Sequence, residues 1–188
     1  MSKKAKDRWN KMYKDGTIPK GEAIDVVEQY AHLAQGKQAL DIACGWGNNA
    51  RYLAQSGFYV EALDISPIAI ESLQNMKNIE AKEVDLDGYI LKENSYDLIV
   101  MTYFLGRDFF TQFHKALKPN GILIVEHWVE HSANSKEFLG ARNMFDKGEL
   151  LSAFDEGFNL LFSSQQTRKL YDNREMMSES IVVQKINV

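Results

Sequence analysis

Three aspartates stand where apolar stretches of the sequence end. Asp41 lies in ALDIA, Asp64 in ALDIS and Asp85 in EVDLD, and each stretch has the composition of a buried strand. The carboxyl ends of neighbouring parallel strands meet at one edge of a sheet, where open α/β sheets bind ligands. There Asp41 would suit an ammonium group, Asp64 both hydroxyls of a ribose, and Asp85 the exocyclic amine of adenine. With no lysine or arginine among them, the three acids predict a cleft for a cationic nucleoside.

Gly45 and Gly47 follow Asp41 in the sequence ACGWGNNA, between a predicted strand and a predicted helix. Glycine allows the backbone to approach a bound ligand closely. Together with Ala50, the spacing also fits the G-x-G-x-x-A pattern of dinucleotide-binding proteins. The carboxylate of Asp41 would repel a pyrophosphate, which disfavours a nicotinamide dinucleotide, although a ribose site at Asp64 would serve either ligand.

The segment HWVEH, residues 127–131, matches the H-x-x-E-H pattern of one class of zinc hydrolases. That pattern holds a metal only on a helix, where residues four apart share a face, and here it continues directly from a predicted strand. We therefore predict no metal site. His127 is instead a candidate base, which is needed only if a reacting group must lose a proton.

Aromatic and basic side chains follow the fourth and fifth predicted strands, at the same sheet edge as the three acids. The aromatic residues could equally be core packing, and Arg142, between the fifth strand and the next helix, could equally be a solvated surface residue. Substrate contacts are predicted for Tyr103, Phe104, Arg107, His127, Trp128 and Arg142.

Apolar runs and helical patterns alternate along the first 128 residues, which predicts a parallel sheet with helices on both faces. Strands are predicted at 38–44, 59–65, 79–86, 95–103 and 121–128, and helices at 5–13, 21–34, 48–56, 67–76 and 108–117. Ser66 is the expected N-cap of the helix at 67–76. Beyond a helix at 146–154, alternating segments at 159–171 and 176–186 flank a turn and predict an antiparallel pair. The expected fold is a doubly wound, seven-stranded mixed sheet of the α/β class, with its last strand antiparallel.

The composition narrows the class of protein. The 188 residues carry a net charge of -4 and one cysteine, which excludes a disulfide scaffold and fits a reducing, cytoplasmic location. The first twenty residues carry seven basic and two acidic side chains, so the rest of the chain is strongly acidic, which argues against nucleic acid as a partner. No apolar run approaches the roughly 20 residues that span a bilayer, so no membrane partner is expected. We expect a single domain, as a monomer or a homodimer.

Five ordered blocks of the sequence resemble the class I S-adenosylmethionine-dependent methyltransferases: ALDIACGWG, VEALDIS, EVDLDG, SYDLIVMTYFL and LKPNGILIVE. The resemblance implies a Rossmann-like fold, S-adenosylmethionine as the cofactor and methyl transfer as the reaction. It assigns the cofactor site to Tyr13, Asp41, Ala43, Gly45, Gly47, Asp64, Ile65, Asp85, Leu86 and Met101, with Met101 beside the methyl group. The sequence departs from the family at Ala43, where a glycine is usual.

More narrowly, the segments DRWNKMY, LAQSG and DISPIAI resemble the small methyltransferases of the tellurite-resistance and thiopurine-like group. In that group an N-terminal segment closes over the cofactor. The resemblance implies a helical lid at 1–34 with Trp9 and Tyr13 above the cofactor, a cofactor-binding core at 38–128, and a substrate cap with the C-terminal strand pair at 129–188.

The expected activity is therefore transfer of a methyl group to a small-molecule acceptor by in-line displacement, with no universal catalytic residue. Two alternatives remain at this point. One is an NAD-dependent oxidoreductase, and the other is a module that binds S-adenosylmethionine without catalysis.

Overall fold

Seven strands form one sheet in the computed structural model, which describes residues 3–132, 134, 143–154, 156–170 and 174–186. The order of the strands across the sheet is β3-β2-β1-β4-β5-β7-β6. In chain order they are β1 (Gln38–Ile42), β2 (Tyr59–Asp64), β3 (Ile79–Glu83), β4 (Tyr96–Thr102), β5 (Leu117–Trp128), β6 (Phe158–Lys169) and β7 (Glu175–Lys185).

Strands β1 to β5 run parallel, whereas β7 runs antiparallel to both β5 and β6. The predicted α/β class and the mixed seven-stranded sheet with an antiparallel last strand are confirmed. The strand order reverses at the β1–β4 pair, since β2 and β3 lie on one side of it and β5 on the other. Open α/β sheets have a ligand crevice at such a switch point, outside the carboxyl ends of the strands.

Helices cover both faces of the sheet. They are α1 (Lys3–Lys14), α2 (Asp25–Tyr30), α3 (Asn48–Gln55), α4 (Pro67–Glu71), α5 (Phe110–Ala116) and α6 (Glu149–Ala153), with 3-10 turns at Ala31–Leu33 and Arg107–Phe109. Because successive strand residues point to opposite faces, Ile99 of β4 joins the core of Phe113 on the α5 side, and Val100 joins the core of Val27 on the α2 side. None of the helices within the described ranges has the length and apolar character needed to cross a membrane.

The helix predicted at 67–76 ends at Glu71, and two further differences from the predicted element boundaries have local causes. β5 begins at Leu117, four residues before the predicted start, because Leu117 pairs with Tyr96 ahead of a register shift in the β4–β5 ladder. The segment predicted as a helix at 21–34 becomes helical only at Asp25, and its last turn is a 3-10 turn. The predicted turn between the last two strands, 171–173, lies outside the described residues.

The residues ahead of β1 extend over the carboxyl ends of the strands. α1 packs against α4, where Asn10 Oδ1 accepts a hydrogen bond from Ser66 Oγ at 2.6 Å. Ser66 also caps α4, as predicted, because its Oγ accepts from the Ala69 N–H at 3.4 Å. Lys6 of α1 forms an ion pair with Glu83 at the end of β3. The N-terminal segment, defined as residues 3–24, therefore covers one edge of the sheet.

Candidate active site

A cavity of about 220 Å³ lies at the switch point, between the carboxyl ends of β1, β2 and β4 and the N-terminal segment. Its walls are mostly aromatic and apolar, and Asp64 is the one carboxylate among the described lining residues. These are Trp9, Tyr13, Ile18, Pro19 and Ile24 from the N-terminal segment, Ala43, Cys44, Gly45, Trp46, Asn48 and Asn49 after β1, and Asp64, Ile65, Leu86, Thr102, Tyr103 and Phe104 from the other strand ends.

A larger groove, of about 600 Å³, lies at the opposite, amino edge of the sheet. Its buried carboxylate, Glu61, is already engaged by Lys82, Lys92 and the Tyr96 hydroxyl, at 2.7 to 3.0 Å. The glycine loop and the buried strand-end acids lie at the other edge, so the smaller cavity is the candidate site.

The loop after β1 takes left-handed backbone conformations. The angle φ is +54° at Ala43 and Gly45 and +73° at Gly47. A Cβ added at Gly45 would lie 2.9 Å from Tyr13 Oη, and one at Gly47 would lie 2.4 Å from Leu73 Cδ2. The side chains of Tyr13 and Leu73 therefore lie closer to these two positions than a side chain there would allow, and the approach of a ligand to the loop stays a prediction. Ala43 holds its left-handed conformation at a cost of about 1 kcal/mol.

Asp64 joins the loops that follow β1 and β2. Its Oδ2 accepts the Gly45 N–H at 3.0 Å and its Oδ1 accepts the Ser66 N–H at 2.8 Å. The residue is 6% exposed, and burial raises the pKa of its carboxyl despite these two hydrogen bonds. Each carboxylate oxygen has a second lone pair, so Asp64 can accept two further hydrogen bonds from a ligand in the cavity.

Asp41 lies behind the cavity rather than in its wall. It is 1% exposed, and neither carboxylate oxygen has a hydrogen-bond partner among the described residues. In β1 it alternates with the core residues Leu40 and Ile42 and so shares the face of Ala39, which packs towards α3. Burial raises the pKa of Asp41 to about 7 against the opposing effect of the Ala50 backbone N–H, and the neighbouring charge of Asp64 acts in the same direction as burial.

Three other predicted cofactor residues also lie outside the lining. Gly47 is the N-cap of α3, and Met101 is fully buried in the core on the α5 side. Asp85 is exposed, and its Oδ1 accepts the Asp87 N–H at 3.0 Å. The residue that follows it, Leu86, does line the cavity. The structure thus brings together Tyr13, Ala43, Gly45, Asp64, Ile65 and Leu86 of the predicted cofactor set.

The N-terminal segment forms an aromatic wall opposite the glycine loop. The Tyr13 ring lies edge-on to Trp46, with the ring centroids 4.9 Å apart, and Trp9 lies 6.4 Å from Tyr13. Trp46 Nε1 donates a hydrogen bond to the Ile18 carbonyl at 2.7 Å, which ties the segment to the loop after β1. Burial raises the pKa of Tyr13, and so does the charge of Asp64. Tyr13 is therefore a neutral phenol at physiological pH.

Asn49 connects three walls of the cavity and was missed in the sequence. Its Nδ2 donates to Thr102 Oγ1 at 2.9 Å, and its Oδ1 accepts the Ile24 N–H at 3.0 Å. Both asparagines that follow Gly47 line the cavity. A polar pair directly after a glycine loop was the signal available in the sequence, because the first turn of a helix at a strand end faces the ligand edge.

Tyr103 lines the cavity beyond the end of β4, beside Phe104. Its φ of +55° is unusual for a residue with a side chain. Its backbone N–H donates to the Glu126 carbonyl at 2.8 Å, and its hydroxyl donates to the Glu126 side chain. Its ring packs against Trp128, with the centroids 4.6 Å apart. Burial and the Glu126 charge raise the pKa of Tyr103.

The remaining predicted substrate residues lie outside the described lining. His127 is buried on the α5 side, with its ring 5.1 Å from that of Phe145, and burial lowers its pKa to about 4. Arg107 pairs with Glu149 and donates to the Met144 carbonyl at 3.1 Å. Trp128 packs on Tyr103, which lines the cavity. Arg142 lies outside the described residues.

The H-x-x-E-H segment lies on extended chain, as predicted. It begins with the last two residues of β5 and continues through Val129, which bridges to Phe145. Within the part of the chain that the structure describes, no three histidine, cysteine, aspartate or glutamate side chains are grouped closely enough to hold a metal ion.

Sequence comparison connects this chain to a family and to longer proteins. A family model described as a methyltransferase domain matches residues 18–170. Phosphoethanolamine N-methyltransferase 2 of Caenorhabditis elegans is 28% identical over 147 residues, which is 67% of this chain and 32% of that protein. The chain spans between about a quarter and a half of the length of the curated relatives it matches.

Solved structures share the fold at low sequence identity. TehB from Haemophilus influenzae superposes with a TM-score of 0.75 and 19% identity, over 93% of this chain and 66% of that one. A protein from Methanosarcina mazei described as a SAM-dependent methyltransferase superposes with a TM-score of 0.70 and 17% identity, over 89% of this chain and 100% of that one. These likenesses are evidence for the fold.

Proposed function

The chain belongs to the methyltransferase-domain family, and on that premise we propose that it transfers a methyl group from S-adenosylmethionine to a small-molecule acceptor. One observation carries the proposal. A buried carboxylate with free lone pairs, Asp64, and a glycine loop that admits no side chain at Gly45 meet in one cavity at the switch point of the sheet.

The residues around the cavity fit an adenosyl ligand. Asp64 would accept hydrogen bonds from the two ribose hydroxyls while keeping those from Gly45 and Ser66. Ile65 and Leu86 offer apolar surface for the adenine, and the loop at Ala43–Gly45 offers backbone to the methionine part. When bound, S-adenosylmethionine supplies a methyl group activated by a sulfonium charge.

The chain contributes alignment and exclusion of water rather than a strong base. The pKa values of Tyr13 and Tyr103 are raised, so both hydroxyls stay protonated near pH 7. Aromatic side chains make up much of the wall and would keep water from the methyl group. Holding an acceptor in line with an activated methyl can supply much of the rate by itself.

Two observations support a small acceptor. The N-terminal segment contributes five of the residues that line the cavity, so an acceptor must fit beneath that segment. The C. elegans relative is named for a small phosphorylated amine, so a molecule of that size is a fitting class for this chain.

The N-terminal segment acts as a lid in this proposal. Five of its residues line the cavity, and the contacts that fasten it include hydrogen bonds of Asn10 with Ser66, of Ile18 with Trp46 and of Ile24 with Asn49. A ligand held beneath this cover would be shielded on both sides, and its release would require some of these contacts to open.

Calorimetric titration with S-adenosylmethionine, S-adenosylhomocysteine and NAD tests the proposed cofactor. We expect the first two to bind and NAD to give no heat of binding. Binding of NAD without a response to S-adenosylmethionine would instead indicate an oxidoreductase.

Turnover tests the proposed reaction. The protein is incubated with S-adenosylmethionine and a panel of thiols, amines, phenols and chalcogen oxyanions, and S-adenosylhomocysteine is measured by mass spectrometry. We expect release above the acceptor-free control with at least one acceptor class. Tight cofactor binding with no release from any acceptor would identify a non-catalytic binding module.

A further inference from the structure

A buried ionic cluster lies next to the cavity and has no part in the contacts described for the cofactor. Its centre is Glu126, which is 0% exposed at the carboxyl end of β5. Arg168 Nε donates to its Oε1 at 3.0 Å and Arg168 Nη2 to its Oε2 at 3.1 Å. Ser180 Oγ donates to Oε2 at 2.6 Å, and the Tyr103 hydroxyl donates to Oε1. Glu126 therefore accepts two hydrogen bonds at each carboxylate oxygen.

Arg168 also reaches the other side of the cavity. Its third donor, Nη1, bonds to Asp25 Oδ2. Asp25 is the first residue of α2 and directly follows Ile24, the last lining residue of the N-terminal segment. One guanidinium thus connects the Ile24 wall of the cavity to the Tyr103 wall, with Glu126 between Arg168 and Tyr103.

Stability alone does not account for this cluster. Replacing a buried ion pair by packed apolar residues is often neutral or stabilising, because the desolvation cost of the two charges offsets their attraction. The ion pair instead fixes the orientation of the Glu126 carboxylate relative to Arg168. The planar fork of an arginine fixes a carboxylate by two parallel hydrogen bonds, and a lysine cannot reproduce this.

Glu126 is placed to orient Tyr103 rather than to take a proton from a ligand. It does not line the cavity, and its two oxygens already accept four hydrogen bonds from Arg168, Ser180 and Tyr103. Because the Tyr103 hydroxyl donates its one hydrogen bond to Glu126, its oxygen can take part in further hydrogen bonds only as an acceptor.

We propose that Arg168 is a positioning residue, which holds Tyr103 through Glu126 and the end of the N-terminal segment through Asp25, so that the two walls of the cavity keep one relative placement. The inference rests on the proposed function, since it assigns Arg168 to the site that binds the cofactor and the acceptor.

The test uses the full-length protein with 3-fluorotyrosine incorporated in place of Tyr103, so that the ¹⁹F spectrum reports on that ring alone. The variants are Arg168→Lys, which keeps the charge and loses the fork, and Asp25→Asn, which removes the charge of the contact with Arg168 and so weakens the link at the end of the N-terminal segment. The matched controls are Lys169→Gln and Glu28→Gln, exposed residues of the same two elements. Dissociation of S-adenosylhomocysteine is followed in parallel by stopped-flow fluorescence of the tryptophans.

We expect Arg168→Lys and Asp25→Asn each to shift or broaden the ¹⁹F resonance and to raise the dissociation rate of S-adenosylhomocysteine about fivefold, the effect of one weakened, partly exposed ion pair. The two controls should match the parent protein. Asp25 is 59% exposed at its side chain, so Asp25→Asn should fold even if Arg168→Lys does not. A purely structural role for Asp25 gives no reason for the resonance of Tyr103 to move.

An unchanged resonance and an unchanged dissociation rate in both variants, in a parent protein that binds S-adenosylhomocysteine, would overturn the positioning role and leave the proposed function intact. If the parent protein fails to bind S-adenosylhomocysteine, the proposed function fails, and the ¹⁹F comparison alone still decides whether Arg168 positions Tyr103.

Discussion

At the residue scale, Asp64 differs from the other two strand-end aspartates because it combines two roles. It bonds two backbone N–H groups and also faces the cavity, whereas Asp41 is buried behind the wall and Asp85 is exposed outside it. The three acids are alike in sequence context but differ in position, because Asp64 is the last residue of β2, whereas Asp41 lies within β1 and Asp85 lies two residues beyond the end of β3.

Asp64→Ala should weaken binding of S-adenosylhomocysteine about ten- to a hundredfold, a loss of about 1.5 to 3 kcal/mol for charge-assisted contacts to the ribose. Asp85→Ala should change the affinity much less, because Asp85 lies outside the lining. Calorimetry on both variants, with circular dichroism to verify folding, checks the difference. Equal affinities in Asp64→Ala and the parent protein would contradict the ribose assignment.

Asp41 should give the free energy of unfolding a distinct pH dependence. Its folded pKa of about 7 lies above its ordinary value of 3.8, so between about pH 4 and pH 7 the folded state keeps a proton that the unfolded state has released. Stability contributed by this group is therefore lost as the pH rises through that window, by at most about 4 kcal/mol. Urea unfolding measured between about pH 4 and pH 7 should show that the free energy of unfolding declines less steeply in Asp41→Asn than in the parent protein.

The matched control is Asp108→Asn. Asp108 is an exposed aspartate in the 3-10 turn that precedes α5. Its profile should follow that of the parent protein. A profile in Asp41→Asn that declines as steeply as the parent between pH 4 and 7 would show that Asp41 is ionised in the folded protein throughout, contrary to its burial without a partner.

At the element scale, the two ends of α3 depend on glycine for different reasons. Both ends need a left-handed backbone conformation, and one of them also lacks space for a side chain. Gly47 and Gly57 stand at the two ends of α3, and both have left-handed φ, +73° and +89°. A Cβ at Gly57 would meet nothing within 4 Å, whereas one at Gly47 would lie 2.4 Å from Leu73 Cδ2.

Gly57→Ala should cost about 1 kcal/mol through backbone strain alone, and Gly47→Ala about 2 to 4 kcal/mol, since overpacking against Leu73 adds to the strain. Only Gly47→Ala should also weaken binding of S-adenosylhomocysteine, because it displaces the loop that carries Gly45. Urea unfolding and calorimetry measure the two effects. Similar costs in both variants would mean that Leu73 moves aside freely.

The sequence was informative about these elements where local chemistry decides the outcome. Alternating and apolar runs located all seven strands, and Ser66 was recognised as a cap from its place before Pro67. Other element boundaries depend on the register in which neighbouring strands pair. The early start of β5 depends on the pairing of Leu117 with Tyr96, which no local pattern reveals.

The candidate site was predictable in part, because local sequence motifs mark some of its residues. The glycine loop and Asp64 follow from short motifs at strand ends. Glu126 and Arg168 are in contact although 42 positions separate them in the chain, and Asn49 and Thr102 are in contact across 53 positions. The roles of these residues therefore become visible only once the strands are paired. Glu126 did leave one sign, an acid at the end of the apolar run ILIV.

At the scale of the whole molecule, the position of the site follows from the strand order. The sheet reverses its winding at β1 and β4, the helices that follow these strands lie on opposite faces of the sheet, and the N-terminal segment covers the crevice between the two connections. The acidic character outside the first twenty residues and the basic character within them place opposite charges on the body and on the segment that covers it.

A crystal structure of the protein grown with S-adenosylhomocysteine examines the central proposal most directly. We expect the nucleoside beneath Tyr13, with both ribose hydroxyls within hydrogen-bonding distance of the Asp64 carboxylate and the homocysteine tail along the backbone of Gly45. A nucleoside bound at the amino edge near Glu61, or one at the switch point whose ribose makes no contact with Asp64, would contradict it.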